Sequence, residues 1–350
     1  MSSIITSNYV PDSINLVEDV EAAEYWFQCF QDLSQKFSQQ AVASSRDDDT
    51  SAVSRSQNFL REFKQRLDEF KQNKSPLSSL SIRELLELNE TLLRLHGFND
   101  PWMKQKELEN NSAVESFRSR IDDIDMIEDN KLRWTELVRG VLAGNIFDWG
   151  AQIVAEILQN DAKFGLTDAL NKIQKRPWLF DDLDMWLNRI LNSSHKCALI
   201  FVDNSGVDIV LGILPFAREL LKRNTKVILA ANSEPSLNDV TFTELKGIVE
   251  ECKLKCDILR NALENSKLLV VSNGQKGPCL DMRNLPKELQ HAIIANGTDL
   301  LVLEGMGRAL HTNLYAKFNC ETLKLAVIKN KWLANRLGGE TFSVVCKYEK

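Results

Sequence analysis

An apolar run that ends abruptly on four turn formers constrains this chain more than any other feature. Ala198-Leu199-Ile200-Phe201-Val202 favours a strand, and Asp203-Asn204-Ser205-Gly206 terminates it. Val207, Ile209, Val210, Leu211, Ile213 and Leu214 then recur at helical spacing. A buried parallel strand that delivers an acid and an amide to its carboxyl end before a helix is how α/β proteins place their chemistry. Asp203 offers an anionic hard oxygen and Asn204 a neutral carbonyl, a pair suited to Mg²⁺ or Mn²⁺.

The same alternation continues to the end of the chain. Predicted strands are Ala198–Asp203, Lys226–Ala231, Leu268–Ser272, Asp299–Glu304, Lys324–Lys329 and Thr341–Lys347. Helical patterns fall between them at Asp208–Lys222, Thr243–Leu263, Pro286–Ile294 and Lys331–Leu337. Parallel neighbours need crossover connections, so the pattern predicts an α/β fold: a three-layer, mostly parallel, Rossmann-like sheet over residues 191–350.

Residues 1–190 read as an α-rich region that closes the active site. Residues 1–20 are expected to be an extended arm. Ala23, Trp26, Phe27, Phe30, Leu33 and Phe37 mark a first helix, and Gln39–Gln57 a polar loop or helix end. Helices are predicted over 55–75 and 80–95, the latter with a capping box from Ser81 to Glu84, and over most of 103–160. Asp47-Asp48-Asp49 reads as surface charge, and Asp181, Asp182 and Asp184 as first-turn acids.

The strand ends carry the chemistry. In order they are Asp203-Asn204, Asn232 with Asn238-Asp239 downstream, Asn273-Gly274, Glu304-Gly305-Met306-Gly307-Arg308 and Lys329-Asn330. In a parallel sheet these tips share one edge. Two acids and an amide suffice for one divalent metal; Arg308 and Lys329 could meet a phosphate, which the Gly305/Gly307 backbone could approach closely. Such a cluster suggests phosphoryl transfer or hydrolysis. Each residue also has a plainer role open to it: Asp203, Asn204 and Asp239 as caps, Glu304 as a partner for Arg308, Lys329 as a solvated strand end. Asn145 and Asp148, in RGVLAGNIFD, could share a helical face or belong to a capped helix junction. His195, His291 and His311 lack a paired ligand at metal spacing and read as surface or core residues.

Composition narrows the class. A net charge of −6 argues against nucleic acid as the main partner. The seven scattered cysteines have no disulfide-framework spacing, and CKLKC at 252–256 lacks the second pair a zinc site needs. No signal peptide and no run of roughly 20 apolar residues is visible, so a cytoplasmic protein without membrane contact is expected. Oligomeric state is not legible.

AGNIFD (143–148), FVDNSGVDIVLGILPFAREL (201–220), LAANSEPSLNDVT (229–241), LEGMGRALHTNLYAKF (303–318) and LAVIKNKWLANRLGG (325–339) resemble the metal-dependent damage-control phosphatases, grouped as domain of unknown function 89. The EGMGR segment is the hallmark of its subfamily II. In that subfamily such a region can follow a pantothenate-kinase-like domain; none precedes residue 1 here, so a stand-alone form is expected. The resemblance implies that Asp203, Asn204 and Asp239 bind a divalent metal (Mn²⁺, Co²⁺, Ni²⁺ or Mg²⁺). It further implies that Lys329 contacts the substrate phosphate and that Glu304, Gly305, Met306, Gly307 and Arg308 shape the pocket. Asn145 and Asp148 would close it from the helical side. The implied substrates are small phosphate monoesters, foremost 4′-phosphopantetheine and its oxidised or sulfonated forms, linking the chain to metabolite damage control in coenzyme A synthesis.

Catalysis would then rest on Asp203, Asp239 and Lys329, with either the Asp203 carboxylate or a metal-activated water as nucleophile, the water positioned by Asp208 or Asp239. Two other classes compete. A non-catalytic regulator that binds phosphometabolites is disfavoured by the full set of Asp203, Asn204, Asp239 and Lys329. A methyltransferase lacks its glycine-rich turn after the first strand.

Overall fold

The computed structural model describes residues 4–72, 80–148, 151, 154, 157–158 and 164–350. The apolar run at 197–201 becomes the interior of a seven-stranded sheet. In chain order the strands are β1 (Phe180–Asp181), β2 (Cys197–Phe201), β3 (Lys226–Ala231), β4 (Leu268–Ser272), β5 (Leu300–Glu304), β6 (Glu321–Val327) and β7 (Val344–Glu349). Their spatial order is β1-β7-β6-β5-β2-β3-β4. Every neighbouring pair is parallel except β6 with β7, which run antiparallel.

Period-two alternation divides the central strands between two cores. Ala198, Ile200 and Val202 join the apolar cluster on one face, and Cys197, Leu199 and Phe201 the cluster on the other. The mostly parallel three-layer architecture expected from the alternation is therefore present. β1 was not anticipated: two residues are too short to show periodicity, and they form a strand only by pairing with β7.

Among the described residues, the helices ahead of the sheet include α1 (Val20–Ser44), α2 (Ala52–Lys71), α3 (Ile82–Leu95), α4 (Met103–Asp125) and α5 (Asn130–Gly144), with the short Leu166–Lys172 after them. α4 and α5 share the first core with the sheet, where Trp134, Trp186 and Phe216 pack ring to ring. α1–α3 form a separate cluster built on Trp26, Phe30, Phe59 and Phe63. The Ser81–Glu84 capping box forms as predicted.

Three sequence expectations need correcting. The polar stretch 39–57 is mostly helix, with only 45–51 between α1 and α2; Ala41 and Ala52 are buried and the Ser38 and Ser56 hydroxyls bond to each other, giving the interface a small polar seam. The single helix expected over Thr243–Leu263 breaks into Phe242–Cys252, a 3₁₀ turn Lys253–Lys255 and Asp257–Glu264, with Cys256 extended at the break. The N-terminal arm docks, burying Ile4, Ile5 and Tyr9 against the sheet's second core. The predicted ends of the helices at 73–75 and 149–160 lie largely outside the described residues.

Candidate active site

Tertiary packing brings the strand tips to one place. Residues 202–204 leave β2, and Asn204 bridges to Asp239 in the loop after β3. The chain then enters a π-helical turn at Asp208–Ile213 before the helix Leu214–Lys222. A second π turn, Met306–His311, follows β5. Widened turns of this kind recur at functional sites because they redirect side chains within a helix.

Arg308 joins the two acids. Its guanidinium is fully buried, donating from Nη1 to Asp203 Oδ1 and from Nη2 to Asp239 Oδ2, the latter at 2.8 Å. Nη2 also reaches Asn232 Oδ1 at 3.1 Å, and Asn232 Nδ2 donates to Asp239 Oδ2 at 2.9 Å. Asp203 Oδ2 accepts from Asn145 Nδ2 at 2.9 Å and from Asn204 Nδ2 at 3.2 Å. Both oxygens of Asp203 are thus held. Burial lifts its carboxyl to about 8, with Arg308 opposing and Asp239 adding repulsion. Burial also raises Asp239, although Arg308 works against it.

Asn204 gives its amide nitrogen to Asp203 and, at 2.8 Å, to Asp208 Oδ2. Behind it lies Glu304. No described donor reaches either of its oxygens, and Asp208 is its neighbour. Burial, together with repulsion from Asp208 and a hydrogen bond to it, pushes Glu304 well above the usual carboxylate range. Lys329 Nζ, also buried, donates to the Asn145 carbonyl and pairs with Asp148 Oδ2 at 3.0 Å. Asn145 lies just past the end of α5 and so reaches both Asp203 and Lys329.

The glycines of EGMGR make this packing possible. Gly305 has φ +90°, and a Cβ there would lie 2.0 Å from Asp203 Oδ2. At Gly307 a Cβ would lie 2.0 Å from the Pro278 carbonyl. Side chains are excluded from both places by the polar atoms the loop must approach.

These groups form the floor of a cavity of about 380 Å³. Asp203, Asn204, Asp239, Asp148, Lys329, Met306 and Gly307 line it; Asn145, Glu304, Gly305 and Arg308 stand behind that floor. The opposite wall is apolar and comes from the helical region: Tyr25, Trp26, Phe30 and Leu33 of α1 with Ile82 and Leu86 of α3. The aromatic spacing of α1 was readable as a helix, but which of its residues face a cavity depends on how α1 docks. Tyr25 fixes that docking by accepting a 2.8 Å bond from Asn330 and stacking on Trp332 at 5.0 Å. His311 also lines the cavity, a placement its spacing did not suggest.

The donor set is hard. Among the described residues no three His, Cys, Asp or Glu side chains cluster as a metal site, and the amide nearest the two acids is that of Asn204. Asn232 and Arg308 both donate to Oδ2 of Asp239, so a ligand would take Oδ1. Two carboxylates and one amide oxygen on the polar floor of the cavity fit a six-coordinate divalent cation completed by water and substrate.

Comparison with known proteins agrees with this architecture. The profile of the damage-control phosphatase ARMT1-like domain matches residues 28–345. The chain is 40% identical to mouse 4′-phosphopantetheine phosphatase over 98% of its own length, but spans only 47% of that relative. It is 43% identical to an Arabidopsis thaliana damage-control phosphatase, covering 76% of this chain and 71% of that one. A crystal structure of a DUF89 family protein from Pyrococcus horikoshii superposes with a TM-score of 0.63 at 16% identity, over 92% of this chain and 98% of that one, which shows the shared fold. The chain belongs to the damage-control phosphatase ARMT1-like family.

Proposed function

We propose that the protein is a metal-dependent phosphomonoesterase whose substrate is 4′-phosphopantetheine or its oxidised or damaged forms. The observation that supports this most is the convergence of Asp203, Asn204, Asp239 and Lys329 on one face of a cavity whose other face is apolar. The name of the mouse relative, a 4′-phosphopantetheine phosphatase, adds to it. A phosphate would sit on the polar floor and an elongated organic arm along the wall of α1 and α3.

Asp203, Asn204 and Asp239 would hold the divalent cation (Mn²⁺, Co²⁺, Ni²⁺ or Mg²⁺). Once bound it supplies Lewis acidity to the phosphoryl oxygens. Lys329 trades its contact with the Asn145 carbonyl for a phosphate oxygen, and Asp148 keeps its ammonium in place. Arg308 offsets the charge of both acids from behind and ties them together. Glu304, Gly305, Met306 and Gly307 shape the floor, with Asn145 and Asp148 closing it from the helical side. Residues 1–190 close the site over 191–350.

The nucleophile is water rather than Asp203, because attack by Asp203 would break the bonds from Arg308, Asn145 and Asn204 that hold both its oxygens. Asp239 takes the proton of that water as it attacks phosphorus and returns it to the ester oxygen as the P–O bond breaks, releasing the alcohol. Single turnover in oxygen-18 water tests this: label enters inorganic phosphate and none enters the Asp203 carboxylate. All seven cysteines are free thiols, which supports a reducing, cytoplasmic setting; no described helix is long and apolar enough to cross a membrane.

A panel of divalent metals with 4′-phosphopantetheine and sugar phosphates tests the function. Metal-dependent release of phosphate, with 4′-phosphopantetheine preferred, supports it. Absence of release from every monoester under every metal overturns it.

A further inference from the structure

His311 stands in the cavity wall without a role in the chemistry above. It closes the π turn after β5, is only 7% exposed, and lines the cavity that holds Asp203, Asp239 and Lys329. Its ring is fixed edge-on against Trp26, with centroids 5.3 Å apart and planes at 88°, and its backbone carbonyl accepts a 2.7 Å bond from Ser13. Trp26 is part of the apolar wall. The imidazole therefore sits where the polar floor meets the apolar side.

Its two nitrogens differ. Nδ1 is enclosed and has no hydrogen-bond partner. Because the ring lines the cavity, Nε2 is the nitrogen left to face it. A neutral imidazole carries one N–H, and a buried N–H with no acceptor is rarer in proteins than an under-satisfied lone pair. The proton accordingly belongs on Nε2. Burial holds the imidazole in its neutral form, pushing it down to about 4, while Asp148 pulls it up and Lys329 pushes it further down. These two are the charged groups facing it.

We infer that His311 is a specificity-determining residue whose Nε2–H donates to an acceptor oxygen, a hydroxyl or amide carbonyl, on the alcohol part of the phosphate monoester between its phosphate and its apolar end. This rests on the phosphatase reading and adds to it what the enzyme selects: an ester with a polar oxygen near the ester linkage, in preference to one whose alcohol is a bare ring or alkyl chain. The donor is neutral and stays so across the working pH range, so it recognises the substrate without acting as an acid.

Side-chain amides separate the two nitrogens, since the amide of Gln reaches the place of Nε2 and that of Asn the place of Nδ1. His311→Gln, His311→Asn and His311→Phe would be assayed with a saturating divalent metal on 4′-phosphopantetheine and on p-nitrophenyl phosphate, which lacks the acceptor arm. His311→Gln should keep kcat/KM for 4′-phosphopantetheine within about threefold. His311→Asn and His311→Phe should lose roughly tenfold, mainly through KM, as expected for one neutral hydrogen bond. All three should hydrolyse p-nitrophenyl phosphate within about twofold of the parent protein, with an unchanged pH profile. Equal losses on both substrates, retention by His311→Asn with loss by His311→Gln, or an acidic limb that disappears in His311→Phe would each overturn the inference. A parent protein that hydrolyses neither ester under any metal would instead overturn the phosphatase reading itself.

Discussion

Substituting Gly305 by Ala tests whether the EGMGR turn exists to let the backbone approach Asp203. The added methyl would lie 2.0 Å from Asp203 Oδ2 and 2.4 Å from its Cγ. Ordinary contact needs roughly 3.5 Å, so the carboxylate must withdraw by about 1.5 Å. It cannot rotate away freely, because Arg308 holds Oδ1 and Asn145 and Asn204 hold Oδ2. Losing one charge-assisted bond costs about 1.5–3 kcal/mol, and a side chain at φ +90° costs about 1–2 kcal/mol more. The sum, about 2.5–5 kcal/mol, lowers the melting midpoint by about 5–10 °C at roughly 2 °C per kcal/mol. Moving Asp203 by more than 1 Å should lower kcat/KM at least about a hundredfold. Gly338→Ala is the control: it shares a positive φ of +81° but has nothing within 4 Å of the new methyl. It should lose only the backbone contribution and keep full activity. Gly305→Ala with a midpoint within 2 °C of the parent and activity within twofold would refute the reasoning.

Asp203→Asn and Asp239→Ala should each lose turnover by about a thousandfold or more while circular dichroism stays native; normal activity in either, with saturating Mn²⁺, Co²⁺ or Ni²⁺, contradicts the proposed site. Because burial lifts Asp203 to about 8, a cation must displace its proton below that pH. Metal affinity measured by calorimetry should therefore weaken about tenfold for each unit the pH falls from 8 towards 6, and a flat profile would argue against this. His311 titrates at about 4 in the folded protein against 6.5 in an unfolded chain. The folded state thus binds fewer protons in that window, and stability present above pH 6.5 is lost as pH falls towards 4. Urea unfolding at pH 7 and pH 4.5 should show the parent losing roughly 2–3 kcal/mol more than His311→Phe between the two.

What the sequence discloses here follows from how local each signal is. β2 and the turn after it are legible because one short segment carries both the apolar run and the residues that end it. The convergence of Asp203, Asn204, Asp239 and Lys329 follows from parallel topology alone, since strand tips in such a sheet share an edge. Arg308 is different. Its position in EGMGR suggests a neighbour for Glu304, yet it reaches Asp203 and Asp239 because the π turn redirects it across the sheet edge. The pairing of Glu304 with Asp208 is equally invisible, as it depends on two elements meeting behind Asn204. The aromatic wall of α1 reads as ordinary core until docking shows that Trp26 and Phe30 border a cavity. The stretch 39–57 misleads because composition reports polarity, whereas α1 and α2 need only Ala41, Ala52 and a serine pair to meet.

The central claim is that one divalent cation is held between the carboxyl ends of β2 and β3. Crystals grown with Mn²⁺ and measured at an anomalous wavelength test it most directly. One strong peak should appear within about 2.0–2.4 Å of oxygens from Asp203, Asn204 and Asp239, and vanish in Asp203→Asn. A peak elsewhere in a protein that still hydrolyses phosphate esters, or full metal-dependent activity with that position empty, would contradict the account.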